Sequence, residues 1–129
     1  MPTKPGKPAS KPERSAPRLL RGQVWVESGG KAALTEAGAD LLDQIQSCGS
    51  LSGAARRLGF SYRRAWMLLD AMNHRWTRPL VVTATGGSGG GGATLTDAGR
   101  HVLRVYRDLQ LQLEYLLDTA GDPFEPLPP

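Results

Sequence analysis

The stretch LSGAARRLGFSYRRAWMLLD, Leu51 to Asp70, restricts what this chain can fold into more than any other. Gly59 follows Ala55 by four positions, and Ala54, Leu58, Phe60, Ala65 and Leu68 recur at the spacing of apolar helical faces. Two short helices that cross at a sharp angle need a small residue at the crossing, a glycine of positive φ in the turn and apolar side chains that lock the pair. Every slot is suitably filled, so the spacing predicts a helix-turn-helix. Ser50 and Ser61 each stand one residue before a helical pattern begins, where a hydroxyl can accept from an unpaired first-turn amide. A helix pair without a ligand would fill the same apolar slots; only the exposed face points to a partner.

On the second helix, Ala65, Leu69 and Met72 are expected to point inward, which leaves Arg63, Arg64 and Met67 on the outer face near its N-terminal end. That end of such a helix enters a DNA major groove, where arginine can bond both O6 and N7 of guanine. Arg63 and Arg64 are therefore the candidate base readers. Ser61 and Tyr62 begin the helix, where hydroxyls and free amides suit phosphate oxygens. Arg75 and Arg78 end it and are expected on phosphates, whereas Arg56 and Arg57 either flank the backbone or are merely solvated. Trp66 is expected in the core rather than as a wedge lining the groove.

Charge agrees with a polyanionic partner. The formal net charge of +4 conceals a segregation: residues 50–78 hold six arginines against Asp70, and residues 1–22 hold six Lys or Arg against Glu13. From Asp108 onward there are five acids and no Lys or Arg. Clustered positive charge attracts phosphates better than the same charge dispersed, although a solvated surface carries such clusters too.

The glycine run gains its meaning from position. PLVVTAT, GGSGGGG and ATLT read as strand, loop and strand, a hairpin placed directly after the second helix, which is a wing. Gly87, Ser88, Gly89 and Gly90 would let its tip approach DNA backbone without a side-chain clash. Gly87 to Gly92 formally matches GxGxxG, but no helix opens from the loop and no βαβ unit surrounds it; a Walker loop needs a lysine, and none occurs after Lys31. A free spacer is the alternative if the flanking strands do not pair.

Residues 1–20 contain five prolines and little apolar bulk, the composition of a disordered basic arm, either adding nonspecific affinity or serving as a solubilising leader. GQVWVES alternates like a half-buried strand and ends at Gly29-Gly30; LTEAGADLLDQIQS follows as a helix capped by Thr35. AALTEAGADLL (32–42) and ATLTDAGRHVL (93–103) echo each other as recurring cap chemistry rather than a true repeat. Val102, Tyr106, Leu109, Leu113 and Leu116 alternate by four and three, a coiled-coil-like seam on one helix from about Asp97 to Thr119. A helix that long exceeds a small core, so the seam is expected to meet a second copy; packing on its own domain is the alternative. The fold class is thus mainly α with a small β-hairpin wing, a winged helix-turn-helix with a long C-terminal dimerisation helix. It divides into an arm (1–20), a DNA-binding unit (21–96), a pairing helix (97–120) and a tail (121–129).

Other chemistries find no support. Cys48 is alone, which excludes an intrachain disulfide and leaves the cytoplasm as the expected compartment. His74 and His101 have no Cys or carboxylate at ligand spacing, so no metal, no cofactor and no catalytic residue are expected. Neither a membrane-spanning run nor a signal-peptide core is evident.

GSLSGAARRLGFSYRRAWMLLDAMN, followed by LVVTATGGSGGGGATLTDAGRHVL, resembles the N-terminal DNA-binding domain of ModE-type molybdate-responsive transcription regulators. The resemblance runs from about Val24 to Thr119 and is most specific at SYRRAW, MN and ATGGSGGGGATLT with its following AG; the helix-turn-helix spacing itself is shared with LysR-type regulators. It implies a winged helix-turn-helix dimer on palindromic double-stranded DNA near genes of molybdenum uptake or use. It puts Ser61 to Arg64 at the start of the recognition helix and Gly86 to Gly92 on the wing, with Ser88 where a basic residue would strengthen phosphate contact. Full-length members continue into molybdate-binding domains, so no oxyanion site is expected before Pro129. A second function class is an interaction module that heterodimerises through the long helix with a full-length, effector-binding relative.

Overall fold

Eight elements follow one another: β1 (Val26–Ser28), β2 (Lys31–Leu34), α1 (Glu36–Cys48), α2 (Leu51–Leu58), α3 (Tyr62–His74), β3 (Val81–Ala84), β4 (Gly92–Leu95) and α4 (Asp97–Ala120). They belong to a computed structural model that describes Ala16, 18–84 and 91–129. The strands form two antiparallel pairs, β1 with β2 and β3 with β4, so the chain is mainly helical with a hairpin after the helix-turn-helix, as expected.

The strand before α1 is half of a hairpin rather than a lone strand. Ser28 pairs with Lys31, and Gly29 and Gly30 both take positive φ, 61° and 79°, which a two-residue turn of this hand requires. The sequence hides β2 because KAAL carries no β-branched residue; Ala33 and Leu34 are in it because they are buried.

Each helix of the predicted pair starts where its cap predicts. Ser50 Oγ accepts from Gly53 N at 2.9 Å and Ser61 Oγ from Arg64 N at 3.0 Å, while Gly59, at φ 72°, turns the chain between α2 and α3. The echoed segments share a structure as well as a cap. Thr35 Oγ1 accepts from Gly38 N at 3.2 Å at the start of α1, and Thr96 Oγ1 from Gly99 N at 3.0 Å at the start of α4; a strand precedes each.

One core joins α1, the helix pair, the second hairpin and the first turns of α4, through Leu41, Leu42, Ile45, Ala54, Ala65, Leu69, Leu80, Leu95 and Tyr106 among others. Polar contacts fix the hairpins on it. The Trp76 indole donates to Ala33 O at 3.0 Å, tying the end of α3 to β2, and Ala93 N donates to Gly49 O at 2.9 Å, tying β4 to the turn between α1 and α2. Arg107 of α4 bridges Asp40, at 2.9 Å, and Asp43 on α1.

Two sequence expectations are corrected here. Trp66, placed in the core by its size, is 43 % exposed, because Leu69 and Met72 fill the interior and leave the indole on the flank of α3. Tyr106, placed on the pairing seam by its spacing, is 1 % exposed and donates its hydroxyl to Val24 O at 2.6 Å. Burial raises its phenol pKa above the ordinary value, and the nearby Glu36 carboxylate adds to the rise.

Candidate nucleic-acid interface

The outer surface of α3 is built from its inward side. Ala65, Leu69 and Met72 are buried and fix the rotation of the helix, so residues two positions away from Ala65 on either side face out. Arg63 and Met67 occupy that outward face, with Met67 62 % exposed. Arg64 sits off the centre: its guanidinium carbon lies 4.1 Å from the centroid of the Phe60 ring. Such stacking favours a cation and limits its rotamers. The two candidate base readers therefore differ, Arg63 projecting freely and Arg64 held at the flank.

Ser61, Tyr62, Arg63, Arg64 and Met67 thus come together on the first turns of α3. Arg75 and Arg78 do not join them. They follow the far end of the helix, and Arg75 lies with Lys31 and His74 beside the tip of the first hairpin, about 18 Å along α3 from Arg63. Arg57 is turned toward α1, donating to Ser47 Oγ at 2.8 Å and Gln44 Oε1 at 3.3 Å. Gly87, Ser88, Gly89 and Gly90 lie outside the described residues. The strands that carry them pair in register, Val81 with Leu95 through Ala84 with Gly92.

Sequence reasoning missed Asn73 and the exposed Trp66 that pairs with Tyr62. Tyr62 and Trp66 form an edge-to-face aromatic pair, ring centroids 6.4 Å apart at 79°, beside Thr83, Ala84, Gly91 and Gly92, at the ends of β3 and β4 that adjoin the connecting loop. Their i, i+4 spacing was the available signal. Asn73, near the end of α3, accepts from Leu80 N at 2.9 Å and Val81 N at 3.1 Å and donates to Val81 O at 3.0 Å. These bonds tie the start of the second hairpin to the end of α3.

On α4, Leu113 and Leu117 turn toward Gly22 of the preceding segment, where a Cβ would lie 3.5 and 3.4 Å from their methyl groups. Val102 packs against the core. Leu111 and Tyr115 are exposed on a separate face, at 61 and 72 %, and the apolar edge that continues the expected seam runs instead through Val105, Leu109 and Leu116, at 42, 40 and 60 % exposure. Only Leu109 and Leu116 of the five seam positions read from sequence lie on it. Among the described residues no helix is long and apolar enough to cross a membrane, and no cluster of three metal-ligating side chains occurs.

Residues 40–100 match the family model of bacterial regulatory helix-turn-helix proteins of the lysR family. The chain is similar to the molybdenum transport protein ModE of Azotobacter vinelandii, 41 % identical over 90 residues that make up 70 % of this chain and 33 % of the relative. It is similar to the molybdenum-pterin-binding protein MopB of Rhodobacter capsulatus, 37 % identical over 102 residues, 79 % of this chain and 37 % of that one. The transcriptional regulator ModE of Haemophilus influenzae is 40 % identical over 87 residues, covering 67 % of this chain and 34 % of its own length. The chain thus spans about a third of the length of the curated relatives it matches. The segment similar to the lysR-family regulators, residues 40–100, runs from within α1 to the first turn of α4 and takes in α2, α3 and both strands of the second hairpin.

Proposed function

We propose that this chain is the DNA-binding part of a transcription regulator tied to molybdenum metabolism, acting as a homodimer on palindromic double-stranded DNA in the bacterial cytoplasm, and not an enzyme. The observation that carries the reading is the free, outward Arg63 at the start of α3, with a hairpin pinned beside it. Arg63 reads guanine; Arg64, Ser61 and Tyr62 hold phosphates, with Met67 between them and Arg75 and Arg78 on backbone further along. Residues 87–90 form the tip of the wing. The molybdenum link rests on the names of the relatives.

Retention of fragmented genomic DNA on the purified protein, followed by sequencing, tests this directly beside an Arg63→Ala/Arg64→Ala control. A few palindromic sites lost in the control support it, and their neighbouring genes report on molybdenum. Uniform, salt-sensitive retention in both proteins overturns it. Arg63→Ala alone is expected to lower discrimination between sites by about 1 to 3 kcal/mol, the range for a bidentate guanine contact. An equal loss on all sequences would move Arg63 to a phosphate.

The pairing helix is α4, through Val105, Leu109 and Leu116. A carboxylate placed in an apolar interface is left without a partner, so Leu109→Glu is expected to raise the dimer dissociation constant about tenfold or more, equivalent to about 1.4 kcal/mol. Sedimentation equilibrium reads it. A wild-type monomer at all concentrations would favour pairing with a full-length relative instead.

A further inference from the structure

The two flanks of α3 differ in chemistry. On one, Arg64 stacks on Phe60. On the other, Tyr62 and Trp66 line a cleft together with Ser52 at the start of α2, Thr83 of β3, and Gly91 and Gly92 at the start of β4, and among the described residues no charged side chain lines it. Its groups stand ready for a polar ligand. Trp25 and Trp76 donate their indole N–H to Glu27 and to Ala33 O, whereas Trp66 has no such acceptor among the described residues.

The major groove of B-DNA is about 12 Å wide, and an α-helix with its side chains measures about 10–12 Å across. A helix seated there fills the groove from wall to wall. Whatever Arg63 touches at the floor, the flanks of α3 meet the two sugar-phosphate walls. The observed asymmetry then dictates how each wall is held.

We propose that the cleft between α3 and the second hairpin seats the sugar-phosphate of one DNA strand through uncharged contacts, while the Arg64 flank holds the opposite strand by charge. The indole N–H of Trp66 and the hydroxyls of Ser52, Tyr62 and Thr83 donate to phosphate oxygens. The edges of the Tyr62 and Trp66 rings lie against deoxyribose, and Gly91 and Gly92 leave room for the strand. The inference rests on the DNA-binding reading above and adds Trp66, Ser52 and Thr83 to the surface.

The two kinds of grip separate by salt. A cation on a phosphate releases counterions, contributing about 0.9 to the slope of log affinity against log salt; a neutral donor contributes none. Anisotropy titrations on a labelled random-sequence duplex suffice, because sugar and phosphate are common to all sequences. Trp66→Ala is expected to weaken binding about fivefold at every salt concentration, the equivalent of one lost hydrogen bond, with a line parallel to wild type. Trp66→Phe, which keeps an aromatic ring and loses the donor, is expected to lose about as much. Arg64→Ala is expected to flatten the slope by about 0.9. Wild-type affinity in Trp66→Ala, a flattened slope, or a loss confined to one base pair of a selected site overturns the cleft. If Trp66→Ala proves unfolded by circular dichroism, Trp66→Phe and Ser52→Ala carry the same comparison. A wild-type protein that binds no duplex overturns the DNA reading itself; wild-type binding with unaffected cleft variants overturns only the cleft.

Discussion

Replacing Gly99 with alanine is expected to destabilise the protein by about 3 kcal/mol or more, the upper part of the range for overpacking a dense interior. A glycine-to-alanine change in a helix ordinarily stabilises by up to about 1 kcal/mol, so the sign itself is diagnostic. A Cβ at Gly99 would stand 2.1 Å from the carbonyl oxygen of Leu80 and 3.0 Å from its carbon. The obstacle is backbone, held in turn by Thr96 N at 2.9 Å and by the Thr96 hydroxyl, which also donates to Pro79 O at 2.8 Å. Ordinary contact begins at 3.4 Å, so α4 and the strand end must part by about 1.3 Å (3.4 less 2.1). Gly38, the matching position on α1, offers the internal control: its Cβ would meet Met72 Sδ at 3.2 Å and Leu34 Cδ1 at 3.3 Å, both ends of flexible side chains. Thermal unfolding should separate the two. Gly99→Ala is expected to lose about 12 °C or more at about 4 °C per kcal/mol, and Gly38→Ala a small fraction of that. A Gly99→Ala protein that melts with wild type would mean that α4 does not approach Leu80 this closely.

The same contact explains which parts of the molecule the sequence reveals. Caps and turns are local: the hydroxyls of Ser50, Ser61, Thr35 and Thr96 each accept from the amide three residues on, and Gly59 needs only its own φ, so element starts could be read from neighbouring residues. The hairpin was legible for a similar reason, since its two strands sit on either side of one glycine run. Faces of α4 were not. A spacing of four and three marks every apolar stripe of a helix alike, and α4 has several: Leu103 and Tyr106 meet the core, while Val105, Leu109 and Leu116 on one stripe and Leu111 and Tyr115 on another remain outside. Which stripe meets the core depends on where α1 lies, and the ion pairs of Arg107 with Asp40 and Asp43 join residues more than sixty positions apart. Trp66 failed by the same logic, since size argues for burial only where the interior still has room.

Function inherits that distinction. Arg63 could be nominated from the helical phase of α3 alone, because buried Ala65 and Leu69 lie within the same helix. Its working position relative to the wing is another matter. That depends on contacts from further along the chain: Asn73 reaches seven and eight residues ahead to Leu80 and Val81, and Gly49 O accepts from Ala93 N of β4.

Asn73→Ala is accordingly expected to cost about 2–6 kcal/mol, roughly 1–3 kcal/mol for each of the two buried amides left without an acceptor. Leu80 and Val81, whose amides it accepts, are 0 and 2 % exposed, so water reaches those N–H groups poorly. Asn73→Asp keeps the acceptor for both amides at 2.9 and 3.1 Å but turns the bond donated to Val81 O into two oxygens facing each other at 3.0 Å, so it should retain part of the stability that the alanine variant loses. Urea unfolding with an unchanged m-value measures the difference as a true stability change. Hydrogen exchange locates it: the Leu80 and Val81 amides should lose protection in Asn73→Ala well before those of α1. The order also bears on DNA. If Asn73 sets the angle of the hairpin, Asn73→Asp should bind a duplex more weakly at a temperature where it is fully folded, although Asn73 itself is not on the exposed face of α3. Equal stability of the two variants would mean that the accepted bonds contribute little and that the packing of Leu80 and Val81 alone holds the hairpin against α3.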